Sequence, residues 1–158
     1  MKILNVILSL VFCLFILAGC GESEAPNTME ISNSIKSLSA ETVVWTALDK
    51  TSFEPYFGIT EKGITEFSGF INSSEEKFDM IAVFKYEDSD TRDAILDGFY
   101  SLTRQMSDNY RIANENEVTK ISEPIIAECG NTIILCIMDS GTKVNNYLEN
   151  ELNAEIIS

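Results

Sequence analysis

The sequence predicts an α+β domain: a two-layer antiparallel sheet with helices on one face, in the order α-ββα-ββα. Three observations carry that expectation. Residues 78–87 (FDMIAVFKYE) alternate with a period of two and are apolar at the centre on both sides, as an inner strand requires. The next run changes period: Ile95, Phe99, Leu102, Met106 and Tyr110 recur at steps of three and four, the stripe of an amphipathic helix. Two apolar segments then flank Gly130-Asn131, a two-residue hairpin signature. Hairpins followed by helices segregate into α+β layers.

The remaining elements follow in chain order. Ile31, Ile35 and Leu38 have helical spacing, so residues 32–48 are expected to be helical, although Val43-Val44-Trp45 favours extended backbone. Residues 51–57 add a short helix stopped by Gly58. Residues 64–72 alternate, with Ile64, Glu66, Ser68 and Phe70 on one side, and Asn72-Ser73-Ser74 turns the chain. Asp88, Ser89 and Asp90 suit the cap of the long helix, and Asp93 adds favourable charge to its first turn. A polar break at residues 114–117 precedes the hairpin of residues 118–129 and 132–139. Asp139-Ser140-Gly141 leads into a last helix with Val144, Tyr147, Leu148 and Leu152 as its stripe.

The N-terminus reads as an address. Lys2 is a minimal positive region, and residues 6–17 are apolar except for Ser9, the length of a signal h-region rather than of a bilayer span. The stretch ends in Leu17-Ala18-Gly19-Cys20, which has the spacing of a bacterial lipobox: an apolar residue, two small residues, then the cysteine whose thiol takes the lipid. The expected organisation is a signal peptide over residues 1–19, a lipidated Cys20 with a flexible linker over residues 20–30, and one domain over residues 31–158. Localisation is then the extracytoplasmic face of the cell membrane, held through acyl chains worth ~0.8 kcal/mol per buried CH₂.

Charge and composition exclude several chemistries. With 25 acidic against 11 basic residues and a net charge of −14, the chain is a poor partner for nucleic acid, whose affinity comes from phosphate neutralisation. It has no histidine, which removes imidazole-based triads and His-containing zinc sites. Cys129 and Cys136 fall on one face of the expected hairpin, four residues apart along the strands. That separation exceeds the ~7 Å Cα limit for a disulfide, so both are expected to be free thiols. Asp88, Asp90, Asp93 and Asp97 fail the calcium-loop pattern, because the sixth position is Asp93 and the twelfth Phe99. Glu115 and Glu117 are paired carboxylates in a polar segment and are expected to be solvated. Trp45, Tyr56 and Phe57 are expected in the core rather than in a ligand groove. No catalytic, metal or cofactor-binding residue is assigned; Cys20, for lipid attachment, is the one site residue.

Tyr56-Phe57-Gly58-Ile59, the strand end Ile81-Ala82-Val83-Phe84-Lys85, Tyr110 and the Gly130 hairpin together resemble a family of small lipoproteins from Firmicutes, chiefly clostridial relatives, that carry a domain of unknown function. The resemblance spans roughly residues 31–152. Members usually place an aromatic after the hairpin glycine, whereas Asn131 and Thr132 stand here. The resemblance implies a membrane-anchored domain outside the cytoplasm, and it supplies no known activity, cofactor or catalytic residue. The expected function is a non-enzymatic binding or accessory module working with another envelope protein. The alternatives are a small-molecule or peptide binder and, less favoured, a carboxylate-based cell-wall hydrolase.

Overall fold

A computed structural model describes residues 26–74, 76–112 and 114–158. Its centre is the strand β3 (Phe78–Tyr86), in which every residue from Phe78 to Phe84 is at most 3% exposed. Successive side chains of a strand point to opposite faces, so an apolar strand of this kind has to be covered on both. Antiparallel neighbours flank it: β2 (Ile64–Ser73) on one side, β5 (Thr132–Ile137) on the other. The sheet is completed by β1 (Thr46–Leu48), β4 (Ile125–Cys129) and β6 (Glu155–Ile156), giving six strands in the order β1-β2-β3-β5-β4-β6.

The α+β class, the antiparallel pairing and the element order agree with the sequence reading. The helices, however, lie on both faces rather than one. On the first face Phe78, Met80, Ala82 and Phe84 meet Leu135 and Ile137 of β5 and the long helix α2 (Ser89–Tyr110), through Ile95, Phe99 and Leu102. Phe53 and Phe57, in a wide helical turn over Phe53–Phe57, add aromatic edges: Phe57 and Phe84 pack T-shaped with centroids 5.2 Å apart. On the second face Ile81, Val83, Ile134 and Cys136 are covered by α1 (Thr28–Ser37) and α4 (Gly141–Asn150), through Ile31, Ile35, Val144 and Leu148. The apolar alternates of β3 and β5 are the physical reason for this second cover.

Three further differences have local causes. The first helix begins at Thr28 and ends at Ser37, instead of covering residues 32–48. Asn27 and Glu30 close a reciprocal capping box, and Leu38 follows as its C-cap. Residues 27–30, read as linker, are therefore its capped start. Second, a bulge between Ile64 and Glu66 moves Ile64 to the α2 face, away from Glu66, Ser68 and Phe70. Third, residues 115–122 form a helix, α3 (Glu115–Ser122), rather than a break and the start of a strand. Asn114 caps it by accepting from the Asn116 N–H, Glu117 and Ile121 form its buried face, and Pro124 separates it from β4. The hairpin itself is as read: Cys129 pairs with Thr132, Cys136 with Ile125, and Gly130 takes φ 59° at the first turn position.

Gly98 sets how closely α2 lies against the wide turn, because a Cβ there would stand 2.5 Å from the Phe57 carbonyl oxygen. Alanine is favoured over glycine in a helix by ~1 kcal/mol, but overpacking against backbone costs ~1–3 kcal/mol. Gly98→Ala is therefore expected to lower the urea midpoint; a raised midpoint would show that the turn yields freely.

Candidate functional site

β3 carries one charged residue within its buried run, Asp79, which is 3% exposed. A buried carboxylate is tolerated only when paired and hydrogen-bonded. Asn72 of β2, directly opposite in register, donates its Nδ2 to Asp79 Oδ2 at 3.0 Å, and Lys120 of α3 donates its Nζ to Oδ1 at 2.8 Å. The same ammonium reaches Glu117 Oε2 at 2.8 Å, and this oxygen also accepts the Phe78 N–H at 3.0 Å. Lys120 thus joins α3 to the start of β3. Its side chain is only 10% exposed; burial opposes its charge, but bonding to Asp79 and Glu117 outweighs that and raises its pKa above the ordinary lysine value.

Beside this triad a cleft of about 510 Å³ opens between α3 and the start of α4. The lower end of the usual ligand-pocket range is ~300 Å³, so the cleft is large enough for a small molecule. Ile125, Cys136 and Met138 line its apolar part, and Thr119, Asp139, Thr142 and Asn145 add polar groups. Asp139 is 70% exposed and lies 3.7 Å from Lys120 Nζ, outside direct hydrogen-bond range. Ser140 caps α4 through its backbone rather than its side chain: its carbonyl oxygen accepts the Lys143 N–H at 2.9 Å and the Val144 N–H at 3.1 Å. Burial pushes the Cys136 thiol far up, which keeps it neutral and a poor nucleophile.

A second polar cluster lies at the opposite end of the sheet. Arg92 of α2 forks onto Glu128 of β4 with contacts of 2.7 and 2.8 Å, and the Tyr86 hydroxyl donates to Glu128 at 2.6 Å. Partial burial and the Glu128 hydrogen bond push Tyr86 up to about 12. This cluster ties α2 to the hairpin.

The residues singled out in the sequence are dispersed. Cys20 lies outside the described residues. Cys129 and Cys136 are both free; Cys129 donates its thiol to the Leu152 carbonyl oxygen at 3.1 Å. Asp88 caps α2 by accepting the Thr91 N–H, and that hydrogen bond holds its carboxyl below the ordinary range. Asp93 bonds Arg92, while Asp90 and Asp97 are exposed. Among the described residues no three Cys, Asp or Glu side chains converge to hold a metal ion. Glu115 and Glu117 are not a solvated pair: Glu115 is exposed, whereas Glu117 is 5% exposed and held by Lys120. Phe57 is core and Tyr56 packs against it; Trp45 packs half-buried on the other face and donates Nε1 to Ser39 Oγ. Sequence reading missed the Asp79-Lys120-Glu117 triad. Its one signal was a charge inside an otherwise apolar run of a central strand.

These features define a small antiparallel α+β domain with a polar-rimmed cleft at one end of its sheet. The model for a domain of unknown function, DUF4358, matches residues 39–138, and the chain belongs to that family. No curated protein and no solved structure matches it. The matched segment includes the whole triad and the α3 wall of the cleft, while the α4 wall follows it.

Lys120→Met leaves two buried carboxylates without their cation, and breaking such a pair from one side costs ~3–5 kcal/mol. A loss of this size is expected in urea unfolding at pH 7. Because the native state raises the lysine pKa, the wild-type advantage is complete below the unfolded value of ~10.4 and fades as pH rises through the higher folded value. A loss unchanged at pH 12 would mean that the stem's packing, not its charge, is what matters.

Proposed function

We propose that this protein is a lipid-anchored extracytoplasmic binding module, held at the membrane through Cys20, with its ligand seated in the cleft between α3 and α4. The cleft is the observation that carries this reading: its volume suits a small molecule, and a largely polar lining around Ile125, Cys136 and Met138 suits a polar one. It favours a small polar ligand or a short peptide over the large flat surface that a stable protein partner needs.

The same geometry argues against turnover. Lys120 is held charged by two carboxylates and is unfit as a general base. Cys136 is held neutral by burial. Asp79 and Glu117 are committed to structural bonds and are not free to serve as a hydrolase's carboxylate pair. The membrane location rests on the Leu17-Ala18-Gly19-Cys20 spacing and the preceding apolar run. The acidic domain is repelled by an anionic bilayer surface, which suits a protein held by acyl chains rather than lying flat.

The test is thermal unfolding of the domain with the low-molecular-weight fraction of the cell envelope. A ligand at a hundred times its Kd stabilises by ~2.7 kcal/mol, enough to raise Tm by several degrees. Thr142→Trp, which places a large side chain at the exposed rim, is expected to abolish the rise while leaving the unliganded Tm in place. A rise that survives this substitution contradicts the cleft. No rise from any fraction, with one envelope protein cross-linked stoichiometrically, would favour an accessory partner instead.

A further inference from the structure

The charges around the cleft do not balance. Lys120 is the one cation among the described residues that line it. Its ammonium already bonds Asp79 Oδ1 and Glu117 Oε2 at 2.8 Å each, and both carboxylates are at most 5% exposed. One positive charge thus answers two negative ones before the rim is reached. Two further carboxylates, Asp139 and Glu123, stand on the lining. Asp139 is 70% exposed, and its 3.7 Å approach to Lys120 is too long for a direct hydrogen bond. Glu123 is exposed and forms no ion pair among the described residues. Lys143, in the first turn of α4, is exposed and does not line the cleft. The helix ends leave the sign as it is: Glu123 is the C-cap of α3 and Gly141 opens α4, so partial charges of ~0.5 and opposite sign offset each other.

A separate observation asks for a donor at the same place. Asn145, on the α4 wall, has a buried side-chain oxygen that meets no donor among the described residues. An orphaned acceptor carries a standing desolvation cost, which a ligand that brings an N–H to it relieves. A cleft with one excess sign of charge also concentrates ions of the other sign. Resting on the cleft reading above, we infer that the ligand is an organic cation, an ammonium or guanidinium held by Asp139 and Glu123 with its short carbon stem along Ile125 and Met138. An anionic ligand would face four carboxylates with only Lys120 in its favour, and that lysine is already spent on two of them.

Calorimetric titration of the full-length chain in a non-ionic detergent tests this, with three probes of one carbon length: cadaverine, glutarate and 1,5-pentanediol. Cadaverine is expected to bind at least ~tenfold more tightly than either of the others, a difference of one ion pair or more. Its affinity should fall as NaCl is raised through the range in which exposed charges are screened. Asp139→Asn and Glu123→Gln should each weaken it ~3–5-fold, as expected for a solvent-exposed pair. Glu41→Gln, which removes an exposed charge outside the cleft lining, should leave it unchanged. Thr142→Trp should abolish it. Glutarate binding as tightly as cadaverine, or no cadaverine binding while the envelope fraction still raises Tm, overturns the cationic class and leaves the cleft reading intact. Cadaverine binding that survives Thr142→Trp, or that Glu41→Gln weakens as much as Asp139→Asn does, is diffuse attraction to an acidic surface and overturns the assignment. An envelope-fraction rise that also survives Thr142→Trp takes the cleft reading with it.

Discussion

The rest of the structure depends on a strand with no solvent face. β3 sends Phe78, Met80, Ala82 and Phe84 to one side and Ile81 and Val83 to the other, all of them at most 1% exposed. Burying an aliphatic or aromatic side chain of this size contributes ~1.5–3 kcal/mol. Neither set can be left in water without losing several times that amount. The chain answers with α2, α3 and the wide turn on one face, and α1 and α4 on the other. Two apolar clusters thereby share one strand, and a shift of β3 by one residue would exchange both sets of side chains at once.

Asp79 qualifies that plan at the end of the strand, and what surrounds it follows from the cost of burying its charge. Asn72 supplies one donor from the neighbouring strand, but an ionised carboxylate also needs a counter-charge. Lys120 supplies it from α3, and the excess donor capacity of an ammonium then recruits Glu117, which in turn fixes the Phe78 N–H. The short helix is positioned by this chain of bonds as much as by Ile121 and Val118. Its outer surface becomes one wall of the cleft, so the same triad that solves a burial problem in the sheet also shapes the candidate site. The cleft's remaining wall comes from α4, whose stripe is held by the second face of β3 and β5.

Much of this fold was legible because it rests on local periodicity. The two-period run of β3, the Gly130-Asn131 turn and the α2 stripe depend on neighbours in sequence, and each was found. α3 was not, since eight residues carry barely two turns of pattern and Val118 with Ile121 fits either a helix or a strand. Its identity is settled by Asn114 and by Lys120 reaching Asp79, a contact across 41 positions. The helices on the second face were foreshadowed by Ile81 and Val83, but a period of two cannot say what covers them. The three-residue β1 and two-residue β6 exist only as partners of longer strands, and no pattern of that length can announce itself. The cleft was illegible for the same reason as the triad: its residues come from α3, β4, β5 and α4 and are ordinary in composition.

The central claim is that both clusters form one cooperative unit hung on β3. Native-state hydrogen exchange, read amide by amide, tests it most directly. The amides of Ile81 to Phe84 and of Ile133 to Cys136 should exchange only through global unfolding, with one free energy equal to that from urea denaturation. If the β3 amides instead opened at a lower free energy than those of α2, with the α1–α4 face melting first, the two layers would be separable and the account would fail.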